Sequence, residues 1–145
     1  MYPNPFLNDT EKINLFRSKL KLEDKIVLIN VAIHEYQKAQ TVLIDALNEL
    51  NDLKSDYILL LVGRNGEATK EIQEKINLYG LQENVRILGH RSDVTKLLAA
   101  SDVFVFPSRF EGLPGALIEA EAAGLPIVCS DIPNNKEVIE ENSNA

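Results

Sequence analysis

Residues 102–131 read DVFVFPSRFEGLPGALIEAEAAGLPIVCSD and contain most of the information about the fold. Two apolar runs within them, residues 103–106 and 127–129, are typical of buried strands in a parallel sheet. Between these runs we predict an irregular loop and then a helix, with Pro114 in its first turn and Gly124 in the left-handed conformation that ends it. The order strand, loop, helix, strand predicts one repeat of an α/β domain.

Two carboxylates flank the start of this predicted helix. Glu111 stands in the loop just before it, and Glu119 lies about one and a half turns inside it, given 3.6 residues per turn. The start of a helix presents free backbone N–H groups and the positive end of the helix dipole, which favour an anion. The stretch therefore predicts an anionic ligand with carboxylates on either side.

The rest of the chain shows the same alternation of short apolar runs and amphipathic segments. Further strands are predicted at residues 26–33, 58–62 and 85–88, and further helices at residues 10–20, 41–51, 67–79, 93–100 and 134–141. This pattern indicates an α/β domain with a parallel sheet. In such sheets ligands bind beyond the carboxyl ends of the strands, here the loops at residues 34–40, 63–66, 89–91, 107–113 and 130–133.

The length of the chain favours one domain. Residues 1–8 are rich in Pro and Asn and are predicted to be a linker or a cut end, and residues 9–145 are predicted to form the domain. Residues 140–145 are polar and stop where a doubly wound domain usually continues. We therefore expect the domain to lack its final elements and the chain to be a fragment.

Composition and charge exclude several classes of protein. A net charge of −7 without clustered Lys and Arg argues against a nucleic-acid binder. The single cysteine, Cys129, excludes an intrachain disulfide, and His34 and His90 are far apart in sequence, so no metal site is predicted. No apolar run approaches the ~20 residues of a transmembrane helix, and no signal segment is evident. These features predict a soluble, cytoplasmic protein.

Residues 107–131 closely resemble the carboxyl-terminal signature of family 4 retaining glycosyltransferases of the GT-B fold, in which two glutamates are separated by seven residues. The resemblance continues upstream through NVRILGHRSDVTKLLAASDVFVFPS, LLLVGRNGE and QKAQTVLIDAL. It covers the chain from about residue 26 to residue 139, with the segments in the same order and spacing. Agreement over several segments is more specific than any one motif.

The resemblance implies a Rossmann-like, doubly wound parallel sheet in a three-layer α/β/α arrangement, forming one half of a GT-B enzyme. Such a domain binds a nucleotide-diphosphate sugar donor, and the enzyme transfers the sugar to an acceptor with retention of anomeric configuration. The family uses no bound metal or other cofactor, and a separate amino-terminal domain binds the acceptor. Its members act in polysaccharide or glycoconjugate biosynthesis, in the cytoplasm or at the inner face of a membrane.

The resemblance also implies roles for individual residues. Glu111 would lie near the donor sugar as the catalytic residue, Glu119 would bind the ribose hydroxyls, and Lys38 would contact the diphosphate. Backbone groups of Gly112, Leu113 and Pro114 would contact the sugar and phosphate, and Gly89, His90 and Arg91 would line the base pocket. These roles fit the chemistry, because an ionised carboxylate can accept from both ribose hydroxyls and a cation stabilises a leaving diphosphate.

The role of Glu111 has three alternatives. Its carboxylate could stabilise positive charge on the anomeric carbon, hold a sugar hydroxyl, or act as a nucleophile as in retaining hydrolases. We favour charge stabilisation together with hydroxyl binding, because the leaving phosphate itself could take the proton of the acceptor.

One departure from the family pattern concerns the end of the first strand. The family usually has Gly-Arg there, and the arginine joins the lysine on the diphosphate, whereas residues 31–34 of this chain read VAIH. The cationic clamp is therefore incomplete unless Arg64, Arg91 or Arg109 reaches the site. This weakness supports an alternative function, a non-catalytic nucleotide-sugar-binding or interaction module of the same fold.

A nucleotide-sugar epimerase is a third possibility, which the spacing of Glu111 and Glu119 makes less favoured. In every case the isolated chain is expected to bind ligand without catalysing efficient transfer. Positioning both reactants supplies much of the rate acceleration, and the acceptor side comes from a second domain.

Overall fold

A computed structural model describes residues 9–112 and 114–143. Five strands are present in this part of the chain: β1 (Ile26–Val31), β2 (Tyr57–Val62), β3 (Val85–Gly89), β4 (Val103–Phe106) and β5 (Ile127–Cys129). The α-helices are α1 (Thr10–Lys19), α2 (Gln40–Asn48), α3 (Thr69–Leu78), α4 (Val94–Ala99), α5 (Gly115–Ala122) and α6 (Pro133–Ser143). Short 3-10 turns lie at Tyr36–Lys38 and Asn51–Leu53. The linker predicted at residues 1–8 lies outside the described residues.

The strands form one parallel sheet in the order β3-β2-β1-β4-β5. The chain moves outward from β1 to β3, then returns to pair β4 with the other side of β1. The loops after β1 and β4 are therefore neighbours, although they are far apart in sequence. In open α/β sheets a ligand crevice forms where the strand order reverses. The predicted doubly wound α/β class is confirmed.

Two apolar layers cover the sheet, one on each face. Alternate residues of β2 point to opposite layers, with Leu60 packed toward α4 and α5 and Leu59 toward α2 and α3. All six residues of β2 are buried, which explains why the sequence shows a continuous apolar run without alternation. Phe104 and Phe106 stack at 5.6 Å between ring centroids on the first face. The predicted three-layer arrangement is confirmed.

Most helix ends lie within a few residues of their predicted positions. Asp9 caps α1 by accepting from the backbone N–H of Lys12 at 3.0 Å. Gly80 and Gly124, with φ values of +65° and +75°, follow the ends of α3 and α5 as predicted. The placement of Pro114 in the first helical turn was wrong. Its ψ of 74° is not helical, so Pro114 is the residue before α5.

The loop after β1 and the loop after β2 are connected by backbone hydrogen bonds. We predicted that the first strand would extend to residue 33, but β1 ends at Val31 because the chain then turns toward the second loop. The His34 N–H donates to the Arg64 carbonyl at 3.1 Å, and the Ala68 N–H donates to the His34 carbonyl at 3.0 Å. The segment predicted as a polar loop at residues 34–40 contains the 3-10 turn Tyr36–Lys38. This turn positions a lysine at the carboxyl edge of the sheet.

Candidate active site

Lys38 and Glu111 are in direct contact at the carboxyl edge of the sheet. The Lys38 Nζ lies 2.7 Å from Glu111 Oε2, and the two side chains are 17% and 5% exposed. Lys38 ends the 3-10 turn after β1, and Glu111 lies in the loop after β4. The lysine ammonium also lies 6.0 Å from the ring centroid of Phe106, the last residue of β4. Two residues that the family resemblance selected separately therefore form one ion pair.

Arg109 connects the same two loops through hydrogen bonds and a cation–π contact. Its backbone N–H donates to the Gln37 carbonyl at 2.7 Å, and its Nε donates to the Tyr36 carbonyl at 3.2 Å. Its guanidinium carbon lies 4.2 Å from the centroid of the Tyr36 ring, a stacked cation–π arrangement. No pattern in the sequence indicates the role of Tyr36. Arg109 was considered only as a possible replacement for the missing family arginine.

Asn134, near the start of α6, supports the loop from the other side. Its Nδ2 donates to the Glu111 carbonyl and, at 2.7 Å, to the Gly112 carbonyl. A cleft of about 210 Å³ lies between the two segments and is lined by Arg109, Phe110, Glu111, Ile132, Pro133 and Asn134. Sequence reasoning missed Asn134. Its position immediately after the loop that follows β5 was the available signal.

Glu119 is exposed on α5. Its side chain forms no hydrogen bond or ion pair with another residue of the described part of the chain. No side chain caps the start of α5 at Pro114, where the backbone N–H groups of the first turn point out of the helix. Gly112 is exposed in the preceding loop, and Leu113 lies outside the described residues. The start of α5 therefore has backbone N–H groups available, and the anion binding expected there stays a prediction.

The predicted base-pocket residues are set apart from the ion pair. Gly89 ends β3, the edge strand, and β3 is separated from β1 by β2, which corresponds to about 10 Å across two strand spacings. His90 is exposed, whereas Arg91 binds Asp93 through two bonds, Nε to Oδ1 at 2.8 Å and Nη2 to Oδ2 at 2.7 Å. This guanidinium lowers the pKa of the Asp93 carboxyl. The three residues border the same edge of the sheet without touching Lys38 or Glu111.

His34 is a buried part of the scaffold. It is fully buried, and its Nδ1 lies 2.8 Å from the Thr69 Oγ1 at the start of α3. Its Nε2 has no hydrogen-bond partner among the described residues. Burial lowers the pKa of the imidazole, because the charged form loses its hydration. The structure therefore favours a neutral His34 that links the loop after β1 to α3.

The lowered pKa of His34 predicts that the protein loses stability below about pH 6.5. Between the folded and unfolded pKa values the unfolded state binds more protons, so the free energy of unfolding falls as the pH falls. The slope for one proton cannot exceed about 1.4 kcal/mol per pH unit. Urea unfolding at pH 7.5 and 5.5 should show a larger loss for the wild type than for His34→Gln. Equal losses in the two proteins would contradict this assignment.

Two kinds of feature are absent from residues 9–112 and 114–143. No three side chains of His, Cys, Asp or Glu in these ranges are grouped in a way that could hold a metal ion. No helix in the same ranges has both the length and the apolar character needed to cross a bilayer. Cys129 is half-buried against the core, and burial raises the pKa of its thiol.

The strand order defines a Rossmann-like α/β domain, and an ion pair lies at the carboxyl ends of β1 and β4, where that order reverses. The model of the family described as glycosyl transferases group 1 matches residues 11–145. The chain therefore belongs to this family of transferases, and the resemblance found in residues 107–131 is confirmed at the level of the family.

Known relatives and structures agree with this assignment. The chain is 36% identical over 91 residues to UDP-Gal:alpha-D-GlcNAc-diphosphoundecaprenol alpha-1,3-galactosyltransferase of Escherichia coli, covering 62% of this chain and 23% of that protein. It is 31% identical over 133 residues to the capsular polysaccharide biosynthesis glycosyltransferase CapH of Staphylococcus aureus, covering 90% and 37%. The crystal structure of Anabaena Alr3699/HepE in complex with UDP-glucose superimposes with a TM-score of 0.83 at 26% identity, covering 94% and 38%. The chain thus spans well under half of each of these proteins.

Proposed function

We propose that this chain is the donor-binding domain of a retaining glycosyltransferase, which binds a nucleotide-diphosphate sugar and needs no metal. The observation that carries the proposal is the contact between Lys38 and Glu111 at the point where the strand order reverses. A cation and a carboxylate lie there beside the uncapped start of α5. This combination suits a ligand that joins an anionic diphosphate to a hydroxyl-rich sugar. The acceptor would bind to a separate amino-terminal domain.

The charges at the site match those that develop during sugar transfer. Cleavage of the bond between the sugar and the phosphate leaves negative charge on the diphosphate and positive charge on the anomeric carbon. Lys38 and the N–H groups of α5 would stabilise the first, and the Glu111 carboxylate would stabilise the second. Asn134 holds the Glu111 and Gly112 carbonyls, so the backbone of the loop is fixed before the ligand arrives. In this arrangement the leaving phosphate takes the proton of the acceptor.

The relatives suggest the type of donor. The HepE structure contains UDP-glucose, and the name of the Escherichia coli enzyme gives UDP-galactose as its donor. We propose a UDP-hexose as the donor and use UDP as the first probe.

Calorimetric titration of the chain with UDP should show binding at micromolar to millimolar concentration. If UDP, GDP, ADP and CDP all fail to bind at millimolar concentration, the donor-binding assignment is wrong. Release of free epimerised sugar in place of a glycoside would favour an epimerase.

Glu119→Ala is expected to weaken UDP binding about tenfold, the effect of losing a hydrogen-bonded charged acceptor. The exposed carboxylate forms no hydrogen bond or ion pair with another described residue, so its removal should leave the fold intact. Because the assigned target is the ribose, the variant and the wild type should bind 2′,3′-dideoxy-UDP with the same affinity. Glu121→Ala removes a neighbouring carboxylate of α5 and serves as the matched control. An equal loss for UDP and the dideoxy ligand would exclude the ribose role.

A further inference from the structure

The ion pair leaves the proposed diphosphate site short of positive charge. Lys38 is bound to Glu111 at 2.7 Å, so the pair as a whole is neutral. A diphosphate carries more than one negative charge at neutral pH, and a neutral pair attracts it weakly. Residues 31–34, where the resemblance leads one to expect Gly-Arg, contain no arginine. A second cation must come from another place in the chain.

Three arginines lie on loops at the carboxyl edge, and their contacts differ. Arg91 has its Nε and Nη2 bound to Asp93, and its charge is compensated. Arg64 is exposed in the loop after β2, one strand further from β4 than Lys38. Among the described residues, its recorded hydrogen bond is the one that its backbone carbonyl accepts from the His34 N–H. Arg109 is on the same loop as Glu111 and is fixed on the same 3-10 turn as Lys38.

The geometry of Arg109 suits a ligand-binding cation. The Nε donates to the Tyr36 carbonyl at 3.2 Å, and the ring of Tyr36 lies against the guanidinium. Neither Nη nitrogen bonds to another residue in the described ranges. Since the Nε and the ring fix the plane, the two Nη groups form a pre-oriented fork of the kind that binds phosphate oxygens in pairs. Less side-chain entropy is lost when such a fork binds.

We propose that Arg109 binds the diphosphate of the donor and supplies the second cation that residues 31–34 do not. The inference rests on the proposed function and names a further residue of that site. Tyr36 is then a positioning residue, because its carbonyl and its ring hold the guanidinium. The loop after β4 in this chain carries both the carboxylate for the sugar and the cation for the leaving group.

The test compares uridine, UMP and UDP, whose affinities for the chain are measured by NMR titration. Arg109→Gln is expected to weaken UDP binding about tenfold or more, as for the loss of a charge-assisted hydrogen bond, and to change uridine binding less than twofold. Arg109→Lys should recover part of the loss, since it keeps the charge without the fork. The dependence of UDP affinity on salt concentration should also become shallower in Arg109→Gln, because one cation is lost from the site.

Several outcomes would overturn the inference. An equal loss of affinity for uridine and UDP in Arg109→Gln would show that the arginine only fastens the two loops. A selective loss of UDP binding in Arg64→Gln, with Arg109→Gln unchanged, would assign the second cation to the other loop. Unchanged UDP binding in Arg109→Gln would reject this inference and leave the proposed function standing. Failure of the wild type to bind UDP and the other nucleoside diphosphates would reject both.

Discussion

Lys38→Ala is expected to lower the free energy of unfolding by about 3–5 kcal/mol, because it leaves a nearly buried carboxylate without its cation. The Glu111 side chain is 5% exposed, so water cannot replace the lysine at low cost. Urea unfolding at neutral pH measures the effect. Lys70→Ala removes one partner of an exposed pair, in which Lys70 and Glu74 are 90% and 64% exposed, and should cost less than about 1 kcal/mol. Equal losses of stability in the two variants would show that the buried pair contributes no more to stability than the exposed pair does.

The double variant Lys38→Met/Glu111→Leu separates the value of the pair from the cost of breaking it. Replacing both charges with apolar side chains leaves no unpaired carboxylate, so the double variant should be more stable than Lys38→Ala. Stability equal to or below that of Lys38→Ala would mean that the single substitution acts through lost packing, for example against Phe106. The pair would then be a consequence of the fold and not a source of its stability.

The ion pair also predicts opposite effects on ligand binding. Lys38→Ala should weaken UDP binding at least tenfold, since it removes the cation that we propose binds the diphosphate. Glu111→Gln should leave UDP binding unchanged or make it tighter, because the lysine is released from its competing carboxylate. The same Glu111→Gln variant should bind UDP-glucose no better than UDP, since the sugar contact is lost. Weaker UDP binding in both variants would contradict the assignment of Glu111 to the sugar.

Gly63→Ala is expected to destabilise the protein by about 3–5 kcal/mol, through overpacking against the backbone and an unfavourable φ. A Cβ at this position would lie 1.9 Å from the Ala32 carbonyl oxygen, and Gly63 has a φ of +145°. The backbone of residue 32 must move, and it carries the loop that ends at Lys38. Such a cost is a large part of the 5–15 kcal/mol typical of a domain. Thermal unfolding, or loss of soluble protein on expression, would reveal it.

Gly124→Ala is the matched control for this substitution. Gly124 also has a positive φ, +75°, but a Cβ there would meet nothing within 4 Å. Its cost should therefore be the conformational strain alone, about 1–2 kcal/mol. If Gly63→Ala lowered the free energy of unfolding no more than Gly124→Ala does, the close approach between the loops after β1 and β2 would not be the reason that residue 63 is glycine.

The strands and their order along the chain could be predicted from the sequence because each is a short apolar run. Their burial could not: β2 is buried along its whole length, whereas β5, predicted to be a buried strand, lies at the edge of the described sheet with Val128 64% exposed. β4 and β5 begin and end at the predicted residues, and β2 and β3 differ by one residue. The loop conformations were harder to predict, because they depend on contacts with residues elsewhere in the chain. Pro114 precedes α5 instead of entering it, and the segment after β1 forms a 3-10 turn where a plain loop was expected.

The candidate site was predictable as a set of loops and as a family signature. It was not predictable as a set of contacts. Lys38 and Glu111 are 73 residues apart in sequence, and no local pattern indicates that their side chains meet. Nothing in the local sequence distinguishes Asn134 or Tyr36. Their contacts exist because the parallel sheet places their segments at the same edge. Polar contacts between distant loops follow from the strand order, which the sequence patterns leave open.

The adjacency of β1 and β4 has a consequence for ligand and fold together. A molecule that touches both Lys38 and the loop after β4 can bind only when the two halves of the sheet are joined, since either half alone presents part of the site. Binding energy is then added directly to the stability of the assembled domain, about 2.7 kcal/mol at a ligand concentration one hundred times Kd. Such a ligand should raise the Tm of the domain, because it binds only when both halves of the sheet are in place. The proposed donor would then stabilise the fold of the domain that binds it.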